Sequence, residues 1–119
     1  MDRHEHVTIG VLAFIAYSIP LYLILDKIPG GFIFGLITVA VGSITPDILE
    51  PATSWKHRGK CHSKRALKYI LEISIVAVIL GYVFIILADL SIFYIVSGFF
   101  LGYSLHLLAD STTPMGLPD

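Results

Sequence analysis

The chain has 119 residues, 55% hydrophobic and 14% charged, with a formal net charge of −1 and a mean hydropathy of +0.82. That composition excludes an ordinary soluble domain and places the chain in a bilayer. A nucleic-acid module is excluded too: no stretch has a groove-reading or base-stacking pattern, and the basic cluster adjoins an apolar run, where lipid headgroups are the anions at hand.

The head, Met1 to His6, mixes both signs of charge, and no small-x-small cleavage site follows the first apolar run, Val7 to Leu25. This run is therefore expected to remain as an anchor, kinked by Pro20 near its far end. A short turn, Asp26 to Gly31, leads to the second run, Phe32 to Ile44, which reaches a marginal span only if extended back to Gly30 and on to Thr45. A thinned or re-entrant helix is the alternative there, and the Thr45-Pro46-Asp47 step is expected to end it. The polar stretch from Asp47 to Lys68 follows, with Trp55 as an interfacial anchor. The third and fourth runs, Tyr69 to Leu87 and Ser91 to Ala109, are separated by little more than Ala88-Asp89-Leu90 and predict an antiparallel hairpin. Glu72 is the one charge within these runs and lies near an end. The expected fold is all-α: a single polytopic domain of four transmembrane helices, at about residues 7–25, 30–45, 69–87 and 91–110, with a polar loop at 47–68.

Threading charge through that topology puts Arg3, Lys56, Arg58, Lys60, Lys64, Arg65 and Lys68 on one side and only Lys27, of the 8 Lys and Arg, on the other. The positive-inside rule makes the basic side, with both termini, cytoplasmic. His4, His6, Asp47, Glu50, His57, His62, His106 and Asp110 emerge on that same side, and they include all 5 histidines. A chain needing only solubility at both ends has no reason for such one-sidedness.

The fourth run supplies the sharpest pair. His106 and Asp110 are four apart and share a helical face. Gly102 and Gly98 precede them on the same stripe, a small-xxx-small pattern that admits a neighbouring helix. An imidazole and a carboxylate facing protein at a membrane helix end are costly unless they pair, meet water or hold a metal. The competing reading is one satisfied histidine beside a surface Asp110.

Imidazoles mixed with carboxylates suit zinc, manganese or iron, and the ligands suffice for one or two divalent ions. Asp47 and Glu50 are candidates for a shared carboxylate, or else form a capping box, which Pro51 weakens. His57 and His62 straddle Gly59, whose reversal can bring both rings to one point, with Arg58 beside them as a fork for a phosphate or carboxylate. Lys60, Lys64, Arg65 and Lys68 read instead as contacts to anionic lipid, and Cys61 as a small buried residue. His4, Ser63 and Thr113 are placed as supports that hydrogen-bond the ligands.

The order of these motifs, His6, then Pro46-Asp47 with an acid following, His57-Arg58-Gly59-x-x-His62-Ser63, and Gly102-x-x-x-His106-x-x-x-Asp110-x-x-Thr113-x-x-Gly116, resembles inner-membrane proteins identified as membrane-bound metal-dependent hydrolases. The likeness spans nearly the whole chain. Two departures stand out: Glu50 is one position beyond the second acid of the family's Pro-Asp-x-Asp, and Cys61 replaces a frequent threonine. The His-x-x-x-Asp spacing is also similar to that of the zinc-dependent phospholipase C group. The resemblance implies a metal-activated water that hydrolyses an ester, most simply a phosphoester of a lipid or membrane-proximal metabolite. His6, Asp47, His57, His62, His106 and Asp110 would bind metal, Glu50 would be general base or further ligand, and Arg58 would clamp the anion. The rival is a non-enzymatic membrane protein whose metal is structural or is cargo.

Overall fold

The computed structural model describes residues 3–49 and 63–112. They form α1 (Arg3–Leu25), α2 (Phe32–Leu49), α3 (Lys64–Ala88) and α4 (Ile92–Ser111), with no strand among the described residues. Each helix is long and apolar enough to cross a membrane. The second is not short: at 18 residues it reaches about 27 Å, close to the hydrocarbon thickness. It also does not stop at Pro46, which lies within it, so the helix runs on to carry Asp47. Proline is tolerated inside a membrane helix where neighbouring helices satisfy the freed backbone groups. Asp47 therefore sits in a last helical turn, and its capping-box reading falls.

The connections at the far end are tight because their backbones take left-handed conformations. Asp26 (φ 55°) and Gly31 (φ 82°) bracket the α1–α2 turn, and Asp89 (φ 53°) closes α3, its N–H donating to the Phe84 and Ile85 carbonyls. This αL ending satisfies carbonyls that a membrane helix end would otherwise leave bare. At the near end, the Ser63 hydroxyl caps α3 by accepting from the Ala66 N–H at 3.0 Å. The 25 residues of α3 span about 37 Å, which carries Lys64, Arg65 and Lys68 beyond the hydrocarbon core.

Helices α2 and α4 meet backbone to backbone. A Cβ on Gly42 would collide with the Phe99 carbonyl, and one on Gly102 with the Val39 carbonyl and the Ser43 amide. The stripe of Gly98 and Gly102 thus finds its partner in α2, and Thr38 Oγ1 donates across the seam to the Ile95 carbonyl at 2.6 Å. Phe14, Leu21, Val39, Ile85 and Tyr94 form the core. Within it Tyr17 and Ser97 share a hydrogen bond of 3.0 Å, Tyr94 bonds Ser18, and Tyr82 donates to the Tyr17 carbonyl. Such bonds hold helices together in lipid, where apolar burial alone gives little preference for protein over acyl chain.

Candidate metal centre

Two carboxylates and two imidazoles converge at the end of the bundle that carries Arg3, Ser63 and Ser111. His6 comes from the first turns of α1, Asp47 from the last turn of α2, and His106 and Asp110 from the end of α4. His106 Nε2 lies 3.4 Å from Asp47 Oδ1 and 3.3 Å from Asp110 Oδ2, while His6 Nε2 lies 3.3 Å from Asp110 Oδ1. The two rings stack with centroids 3.6 Å apart and planes 18° from parallel. His6, Asp47 and His106 each offer a ligand atom within 4.8 Å of the others. His6, His106 and Asp110 are buried, and Asp47, 18% exposed at its side chain, is the most open of the four.

The separations are informative. Charge-assisted N–H···O bonds settle at about 2.7–2.9 Å, so 3.3–3.4 Å is long for an ion pair this buried. Two ligands of a tetrahedral zinc, each about 2.0–2.2 Å from the ion, stand about 3.3–3.5 Å apart. Separations of this order occur both in long ion pairs and between two ligands of one ion, and His6, Asp47 and His106 could hold one. Electrostatics agree, because both carboxylates sit at helix C-termini, whose dipole ends are already negative and attract cations. A divalent ion there would meet two carboxylates and two imidazoles, a donor set that suits zinc.

The outer contacts are uneven. His106 Nδ1 lies 2.6 Å from the Ser43 carbonyl, whereas the buried His6 Nδ1 has no hydrogen-bond partner among the described residues. The Ser43 contact, made by a backbone carbonyl, has no signal in the sequence. The ring stacking has none either.

Of the expected site residues, the fold brings together His6, Asp47, His106 and Asp110. His4 does not join them: it is exposed, about 200° round α1 from His6, and its carbonyl accepts from Thr8 Oγ1. The Ser63 hydroxyl caps α3, accepting from the Ala66 N–H. Glu50, His57, Arg58, His62 and Thr113 lie outside the described residues.

A helical bundle with four spans and a polar cluster at one end defines an integral membrane protein. The chain belongs to the YdjM inner membrane protein family, whose model matches residues 1–118. No curated protein and no solved structure is similar to the chain.

Proposed function

We propose that the protein is a metal-dependent hydrolase working at the membrane interface, on a phosphoester or similar ester of a lipid or membrane-proximal substrate. The observation that carries this reading is the cluster of two imidazoles and two carboxylates drawn from three helices, in which His6, Asp47 and His106 each offer a ligand atom within 4.8 Å of the others. His6, Asp47, His106 and Asp110 would hold the ion, with His57 and His62 as further ligands, and zinc suits the donor set best, ahead of manganese or iron. One or two ions are compatible with that number of ligands. A bound divalent ion supplies a water acidified enough to attack at neutral pH, so no serine nucleophile is required. Glu50 would take the proton or complete the ligand set, and Arg58 would clamp the anion.

The site end faces the cytoplasm in this reading, since Arg3, Lys64, Arg65 and Lys68 lie there and Lys27 lies at the other end. Lys64, Arg65, Lys68 and Tyr69 line a shallow surface depression of about 330 Å³, suited to anionic lipid headgroups. A structural or transported metal is the second reading, favoured by how little of His6, His106 and Asp110 is exposed.

Metal analysis of the detergent-purified chain is the test. His106→Ala and Asp47→Ala should each lower bound metal, and the double variant should lose little more than either, because ligands of one ion act as a unit. A metal-replete chain should also hydrolyse a chromogenic phosphodiester in a chelator-sensitive way. Metal that stays sub-stoichiometric and unchanged in all four proteins would sink the hydrolase reading, and full metal without hydrolysis would favour the structural one.

A further inference from the structure

We infer that the backbone carbonyl of Ser43, brought to α4 by the absence of a side chain at Gly102, is the group that decides which nitrogen of His106 is offered to a metal. The inference rests on the metal reading above. It begins with the 2.6 Å contact between His106 Nδ1 and the Ser43 carbonyl. A carbonyl oxygen only accepts, so Nδ1 must carry the proton and donate. When a metal is bound the imidazole is neutral with one N–H, so Nε2, beside Asp47 and Asp110, keeps its lone pair for the ion. Ligand histidines in metal sites are fixed in this way, and loss of the outer partner costs about 10–100-fold in affinity.

What makes the carbonyl reachable is the approach of the two backbones. Gly102 lies one turn before His106, and a Cβ there would collide with the Val39 carbonyl and stand 2.8 Å from the Ser43 amide and 3.0 Å from its hydroxyl. These atoms belong to the turn that presents the Ser43 carbonyl. A methyl at position 102 therefore pushes away the group that His106 needs. Pro46 assists from within α2: it has no N–H for the Gly42 carbonyl, so the ladder is already broken in this turn and its carbonyls can tilt toward α4. His6 provides the contrast, since its buried Nδ1 finds no acceptor among the described residues. The two stacked histidines are thus unequal, His106 fixed and His6 unfixed.

The test uses the full chain in detergent, zinc as the probe, and nitrogen NMR of ¹⁵N-histidine-labelled protein. Wild type should show His106 protonated at Nδ1 and zinc on Nε2. Gly102→Ala should weaken zinc binding about 10–100-fold and lose the single Nδ1-protonated signal. Gly98→Ala serves as control for general disturbance of the seam. A Cβ there would stand 2.9 Å from the Gly35 carbonyl and 2.5 Å from Thr38 Oγ1, one turn further from His106. That variant should keep zinc affinity within about twofold of wild type, as expected for a site without shared partners. Zinc on Nδ1 in wild type overturns the inference whether or not Gly102→Ala folds. Normal zinc uptake with Gly102→Ala unaffected, or with both glycine variants equally weakened, overturns this role alone. Wild type that takes up no zinc overturns the metal reading and this role with it.

Discussion

At the scale of single residues, the cluster turns on proton occupancy as much as on position. His6 and His106 can bind a cation only when Nε2 is unprotonated, so acid and metal compete for the same nitrogens. Metal retention should fall as the pH of the dialysis buffer is lowered below about 6, where free imidazole is mostly protonated. Equilibrium dialysis with metal analysis reads this directly, and retention that is flat between neutral and acidic buffer would mean that imidazole is not a ligand. The four residues that meet were legible because each is a chemically expensive group at a helix end facing the same side of the membrane. The i, i+4 spacing of His106 and Asp110 was legible for the simpler reason that helical geometry fixes it. The Ser43 carbonyl was not: a backbone acceptor leaves no trace in side-chain chemistry, and only the approach of α2 to α4 reveals it. His4 misled because two residues on a helix turn a side chain to the far face, which membership of one charged head does not disclose.

At the scale of elements, the helices were legible from apolar length, and their ends were less so. Pro46 reads as a stop in isolation, yet α2 passes through it, since α4 lies against that turn and tertiary packing overrides the local preference. The extra turn is what carries Asp47 to the site. The short α3–α4 connection was readable as a hairpin, whereas its left-handed Asp89 was not, because glycine or asparagine is the usual residue for that conformation. Asp89→Gly should remove a backbone penalty of about 1 kcal/mol and an anion at the negative end of α3, raising the unfolding midpoint in detergent. A lowered midpoint would show that the Asp89 carboxylate has a stabilising partner.

At the scale of the molecule, the even number of spans was the inference on which everything else depended. His6 beside Asp110 places the first and last described helices' ends together, as a full second span requires and a re-entrant second segment forbids. Reporter fusions at both termini should give cytoplasmic signals, and opposite signals would contradict the four-span arrangement. The tight seam of α2 with α4, rather than α2 with α3, was only half legible. Small residues announce that some helix approaches closely without saying which one.

The cluster of His6, Asp47, His106 and Asp110 joins α1, α2 and α4. Helices emerge from synthesis in chain order, so His6 and Asp47 are already in the membrane while His106 and Asp110 are still unmade. The cluster comes into being only when the fourth helix has crossed and packed against the first two. Capture of an ion at this place would therefore report that insertion is finished. If the cluster holds a metal, a nascent chain stalled after the third helix should bind it far more weakly than the full chain, because His106 and Asp110 do not yet exist.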